Sequence, residues 1–345
     1  MTAANSSTNA STTAMTKKER VAAALEGKSV DRVPITFWGH NYLKEWSAEG
    51  LASAMLENYR TYGWDWMKVN PRASYFVEDW GAVLQPSGDP NKGPTFVDIP
   101  ITSAGDWRNL RPLEPAKGVL GEQLAALRLV REGMGSEAYF IQTIFSPLSI
   151  AKYLVGNNPA PVRGYMADAP DALAAALEVI TETFKTYVQA TLEIADGIFF
   201  ATTGWASAGT LGEEEYKRFG RDYDLRVLEA AQGATFNVLH NCGERIYFDL
   251  LADYPVQAIS WAATLPENPS LAEGKQRTRH AVMGGVNEKT LPDDSAQQVA
   301  EEVRAAIDST QGRRVLVAPG CSIPPRTPPA NLEAALEADR AEGAH

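Results

Sequence analysis

Short apolar runs with little polar alternation recur along the chain, separated by longer stretches in which apolar positions return every three or four residues. The short runs are Arg32 to Trp38 (RVPITFW), Asp65 to Asn70 (DWMKVN), Tyr139 to Phe145 (YFIQTIF), Gly197 to Thr202 (GIFFAT), Thr235 to His240 (TFNVLH), Ala258 to Ala263 (AISWAA), Ala281 to Val286 (AVMGGV) and Arg314 to Ala318 (RVLVA). Runs of this kind read as strands buried on both faces. Helical spacing occupies Thr16 to Leu25, Ala48 to Tyr62, Asp171 to Ile194, Glu213 to Ala231, Ser295 to Ile307 and Asn331 to Ala341. Ser295, with Asp294 before it, reads as a helix start. Strands alternating with helices predict a parallel sheet. Eight such units predict an α/β fold of the (β/α)8 TIM-barrel type. The competing open, doubly wound sheet lacks its Gly-rich phosphate loop after the first strand.

The stretch Tyr75 to Ala116, after the second strand, is rich in Pro, Gly and Asp. It is expected to form a hairpin or loop over the barrel mouth. With no internal repeat and no linker in view, residues 16–345 read as a single domain. Residues 1–15 are small and polar and read as a disordered tail.

Composition narrows the function. The chain has 345 residues, 44% of them hydrophobic, enough for a large core. Its formal charge of -11 and sequence pI near 5.0 speak against nucleic acid and anionic membranes as partners. No apolar run approaches the roughly 20 residues of a membrane span. The first fifteen residues have neither the basic start and apolar centre of a secretory signal nor the arginines of a presequence, so a cytoplasmic location is expected. Thiols stay reduced there, and two cysteines supply no disulfide framework.

Those two cysteines are the most informative residues. The fifth predicted strand runs into NCGER and places His240 and Cys242 two apart, where strand geometry points both to one side. Cys321 follows RVLVAPG, just past the eighth predicted strand. In a barrel all strand ends meet at one face, where active sites lie. One imidazole and two thiolates suit zinc, and three protein ligands leave the open position typical of catalytic zinc. Gly243 and Gly320 flank the cysteines and permit tight turns. The same residues also read as two small buried thiols and a core histidine, which spacing alone does not exclude.

Longer motifs carry a family resemblance. TKKERVAAALEGKSVDRVPITFW is similar to the opening of the uroporphyrinogen decarboxylase superfamily. SYFVEDWG resembles the Val-Glu element after its second strand, and VLVAPGCSIPPRTPPANLEAAL resembles its last strand, Gly-Cys pair and Pro-rich loop. The resemblance covers residues 16 to about 340. Within that superfamily, H-x-C-G with a late Gly-Cys pair marks the zinc methyltransferase branch. That branch includes the methylcobamide:coenzyme M methyltransferases and the corrinoid-linked O-demethylases. The resemblance implies Zn2+ on His240, Cys242 and Cys321, and methyl transfer to or from a corrinoid (cobalamin). The chain has no D-x-H-x-x-G cobalamin-ligating pattern, so a corrinoid-carrying partner protein is expected to supply that cofactor. The decarboxylase branch fits less well. Its Arg-rich loop after the first strand reads GHNYLKEW here.

Two chemistries are open: methylation of a thiol held on zinc, and demethylation of a methyl ether with transfer to Co(I). Trp38, Phe145, Trp205 and Trp261 lie near predicted strand ends and would line an aromatic pocket, which tilts the expectation toward a methoxylated aromatic substrate. The same rings also read as core packing. His40, Asn70 and Glu288 are the candidate acid, base or orienting groups, and Glu288 also reads as an extra metal ligand. Asn41, Asn287 and Arg326 are candidate substrate contacts, though each also reads as a cap or a solvated loop residue. Met67 and Met283 read as packing. EGKQRTRH and LGEEEYKRFGRDYD read as solvated surface. A homodimer is compatible with the sequence. A metal-free lyase and a non-enzymatic corrinoid-binding module are the remaining alternatives.

Overall fold

A computed structural model describes residues 14–343 and 345. Seven parallel strands form the main sheet in the order β1, β4, β5, β6, β7, β8, β9. They are β1 (Trp66–Val69), β4 (Tyr139–Phe145), β5 (Gly197–Thr203), β6 (Val238–Asn241), β7 (Ala258–Trp261), β8 (Ala281–Val286) and β9 (Val315–Pro319). Helices connect successive strands, as parallel pairing requires. A second, antiparallel sheet pairs β2 (Val83–Gln85) with β3 (Thr95–Asp98).

The first predicted strand is the exception. Residues 32–38 carry no regular ladder, because Pro34 has no N–H to give. They still fill the gap between the sheet's two edges. Val317 N–H donates to Pro34 O at 2.9 Å, Thr36 N–H to Val317 O at 3.2 Å, and Asp65 N–H to Ile35 O at 3.1 Å. The segment is therefore the eighth stave, and the sheet closes into a TIM-type α/β barrel.

Alternation along the strands sorts side chains into two cores. Trp66, Ile141, Phe199, Phe236, Val238 and Met283 fill the barrel interior with Trp38. Alternate strand positions, such as Val69, Phe140, Phe200 and Ile259, face the helices. Met67 is buried on that outer side and Met283 inside, so both pack as expected.

Several elements differ from expectation for local reasons. Gly118–Met134 forms a 17-residue helix that the apolar pattern had not singled out. The predicted helix Glu213 to Ala231 is interrupted by a π-turn at Lys217–Arg221. A Cβ on Gly220 would lie 2.5 Å from the Tyr216 ring, so the turn depends on that glycine. The insertion contains the expected hairpin but also the buried turn of helix Tyr75–Glu78 and the helix Ala104–Asn109, which buries Trp107. Within the surface-type run EGKQRTRH, Gly274 is buried beneath Trp261. For the expected tail, residues 1–13 lie outside the described residues. Met15 is tied down, its N–H donating to Asp31 at 2.8 Å.

One buried carboxylate pins the barrel's lower rim. Asp65 is fully buried and accepts from Arg20 at 2.7 Å, from Arg32 at 2.7 Å and from Ile35 N–H at 2.9 Å. Arg32 also reaches Asp339 in the last helix at 2.7 Å. Replacing Asp65 with Ala strips two guanidinium groups and the eighth stave of one shared acceptor. The expected loss is about 3 kcal/mol of stability, read as a lower urea midpoint.

Candidate metal centre and active site

At the C-terminal ends of β6 and β9, an imidazole and two sulfurs converge. His240 sits on β6 with 3% of its surface exposed, and Cys242 and Cys321 are half-buried just beyond the strand ends. His240 Nε2 lies 3.0 Å from Cys242 Sγ, which lies 3.3 Å from Cys321 Sγ. All three ligand atoms fall within 4.8 Å of one another. A tetrahedral zinc with Zn–N near 2.0–2.1 Å and Zn–S near 2.3 Å needs edges of roughly 3.5–3.8 Å, so a slight opening of this triangle admits an ion. Both donor chemistry and spacing fit a metal.

The backbone is shaped for this convergence. Gly243 takes φ of +91°, a left-handed turn directly after Cys242. Gly320 serves by close approach instead, since a Cβ there would meet Glu288 Oε2 at 2.6 Å. Thr203 sits at φ +52° where the β5–β6 register shifts, and its carbonyl accepts from Cys242 N–H at 2.6 Å. A non-glycine residue in that region costs about 1–2 kcal/mol, here spent beside the site.

Neighbouring groups set the electrostatics. His240 Nδ1 is hydrogen-bonded to Ser260 Oγ at 3.1 Å, and an Nδ1–H donated to Ser260 leaves the Nε2 lone pair facing the sulfurs. The hydrogen bond from Cys242 pushes the Cys321 thiol well down, and the same contact with burial pushes Cys242 well up. Burial raises the Glu288 carboxyl, and its Oε2 is buried without a partner.

The other candidate residues are less concentrated. Asn70 is buried on the same face of the β1 line as Lys68, accepts a hydrogen bond from it, and leaves Nδ2 unpartnered. Trp38 lies in the barrel interior, its ring 5.3 Å from that of Phe199. Phe145 is half-buried against Phe76, 4.4 Å away. Trp205 and Trp261 turn away from the mouth. Both pack in the strand–helix layer, and Trp261 meets Phe248 edge to face at 4.9 Å and donates to Pro269 O. Trp261 follows Ser260, so period-two alternation sends it outward when Ser260 faces in.

His40 pairs with Glu45 at 2.9 Å and stacks on Tyr42 at 5.0 Å. Asn41 caps its own turn through Lys44 N–H at 3.1 Å, and Asn287 does the same through Lys289 N–H at 3.0 Å. Arg326 is exposed and forks onto Asp293 at 2.5 and 2.6 Å. His40 and Asn41 border a cleft of about 370 Å³ with Trp38, Tyr62 and Pro324, and the metal-type residues do not line it.

Sequence reasoning missed three residues here: Lys68, Phe199 and Ser260. Lys68 and Ser260 were detectable as polar residues inside strands otherwise buried on both sides. Phe199 links the centre inward, its ring 5.0 Å from that of His240.

A TIM-type barrel with a donor triangle at its catalytic rim defines a class of fold and site shared by many lineages. Among these, the chain belongs to the uroporphyrinogen decarboxylase (URO-D) family, whose model matches residues 16–341. It is 22% identical to the methylcobamide:CoM methyltransferase MtbA of Methanosarcina acetivorans, over 94% of this chain and 98% of that one. It is 26% identical to a uroporphyrinogen decarboxylase of Prochlorococcus marinus, over 72% of this chain and 70% of that one. Its fold matches a solved methyltransferase from Methanosarcina mazei with a TM-score of 0.78 at 23% identity, covering 95% of this chain and 99% of that one. A B12-independent methionine synthase from Shewanella sp. W3-18-1 shares the fold at a TM-score of 0.57, with 14% identity, 90% of this chain and 93% of that one covered. No helix among the described residues is long and apolar enough to cross a membrane.

If Ser260 orients His240 for a metal, Ser260→Ala lowers metal affinity about 10- to 100-fold without unfolding the barrel. Competition with a chromophoric chelator measures this directly.

Proposed function

We propose that this protein is a zinc-dependent methyltransferase that moves a methyl group between a corrinoid on a partner protein and a small molecule. The observation that carries the reading is the triangle of His240, Cys242 and Cys321, a donor set suited to zinc and placed where barrel enzymes do chemistry. Bound there, zinc would supply Lewis acidity that keeps a thiol deprotonated at neutral pH. The long matches to methylcobamide:CoM methyltransferases support a thiol as methyl acceptor. In that reaction the cobalt–methyl bond breaks to leave Co(I), a sulfur–carbon bond forms, and the thiol's proton departs.

The chain's own residues have definable parts in this. His240, Cys242 and Cys321 hold the ion. Ser260 fixes the imidazole. Glu288, its carboxyl raised by burial beside Cys321, is placed to exchange the proton. Trp38 and Phe199 give the site an aromatic floor, the observation that favours a second reading, demethylation of a methoxylated aromatic with transfer to Co(I).

The purified protein should contain about one zinc per chain. Cys242→Ala and Cys321→Ala should each lose both zinc and methyl transfer, followed through the cobalt absorption of methylcobalamin with candidate thiols. Full activity in either variant removes the proposal. Methylation of Co(I) by a methoxyarene, with no thiol methylation, selects the second reading.

A further inference from the structure

A metal ligand is only as well placed as the backbone that carries it. Cysteine places its sulfur by one torsion, so once both of its peptide groups are fixed the sulfur is left with three staggered positions. The backbone of Cys242 is fixed on both sides. Its N–H donates to Thr203 O at 2.6 Å, and its carbonyl accepts from Asn241 Nδ2 at 3.0 Å. Asn241 is in turn held from β5, where the Thr202 hydroxyl donates to Asn241 Oδ1 at 2.7 Å. Thr202 and Asn241 are both buried.

The Thr203 carbonyl reaches Cys242 because the residue leaves the ladder. Its φ is +52°, a left-handed conformation that a β-branched residue rarely takes, and the β5–β6 register shifts between Ala201 and Thr203. Such a conformation persists only where its surroundings over-determine it. Here a chain of hydroxyls does so from the neighbouring β/α unit. The helix Pro147–Leu154, which follows β4, has Ser146 as its N-cap. Ser146 N–H donates to Ala201 O at 2.9 Å, and Ser146 Oγ donates to Ser149 Oγ at 2.8 Å. Ser149 Oγ and Thr203 Oγ1 are hydrogen-bonded at 2.9 Å. Both serines are buried.

We infer that Ser149 and Thr203 are positioning residues for Cys242. The serine holds the threonine in its left-handed conformation, and the threonine's carbonyl fixes the backbone that aims the sulfur. Ser260 orients His240 through its ring, whereas this chain orients Cys242 through its main chain. The device joins the helix after β4 to β5 and β6, so one corner of the triangle is set before an ion arrives. The inference rests on the reading of the triangle as a metal site and not on the direction of methyl transfer.

The test compares Ser149→Ala and Thr203→Val, each of which removes one hydroxyl of the pair, with Thr203→Ser, which keeps it. Zinc affinity is measured by competition with a chromophoric chelator, and ligand geometry by the thiolate charge-transfer and d–d absorption of the cobalt(II)-loaded proteins. Ser149→Ala and Thr203→Val should each weaken zinc binding about 10- to 100-fold and alter the cobalt spectrum. Thr203→Ser should restore both readouts to near those of the unaltered protein. A merely structural hydroxyl chain would lower the melting temperature and leave affinity and spectrum unchanged, and that result overturns the inference. So does failure of both hydroxyl-deleted variants to fold; if one of them folds, its affinity and spectrum decide. Unchanged metal binding in the variants, with metal uptake and methyl transfer in the unaltered protein, removes the positioning roles and leaves the proposed function standing. An unaltered protein that takes up neither zinc nor cobalt removes both.

Discussion

Everything at the mouth depends on closing a parallel sheet. The two sulfurs are 79 residues apart, and no local turn brings them together. Parallel strands all end at one rim, and closure turns that rim into a ring. The closing stave is the irregular one, where a proline interrupts the ladder and a buried carboxylate supplies part of the lost bonding. Asp65 accepts from the backbone of that stave and from two arginines, so one side chain joins the first helix, the closing segment and β1.

Charge distribution adds a second theme. The chain is strongly acidic overall, while among the described residues Lys68 lies buried between the rings of Trp38 and Phe199 without a carboxylate partner. Low dielectric magnifies such local arrangements far beyond the screened surface charge. Overall charge therefore says little about what enters the barrel. The strained Thr203 and the left-handed Gly243 belong to the same economy: unfavourable backbone near the rim is held in place by the ladder below it.

Legibility followed periodicity. Strand order, the His240–Cys242 pair and the late Cys321 were readable because each is a local pattern on or beside a regular element. The aromatic pocket was read less well. Trp205 and Trp261 were assigned to the mouth by their place near strand ends, but the face is set by parity against Ser260 and by the turn after β5. Lys68 was visible as a charge within DWMKVN, and its meaning was not, since the missing counter-charge is a property of the assembled interior. Arg326 reads as a substrate contact in sequence and is occupied by Asp293, 33 residues away.

The sequence by itself determined the alternation of elements, the barrel class and the imidazole with its two sulfurs, because apolar periodicity and residue chemistry are local. Tertiary structure alone decided which side chains share the rim, which buried lysine goes unmatched and which tryptophans turn outward. Those outcomes depend on strand register and closure, and contacts between distant segments exist only once the chain has folded.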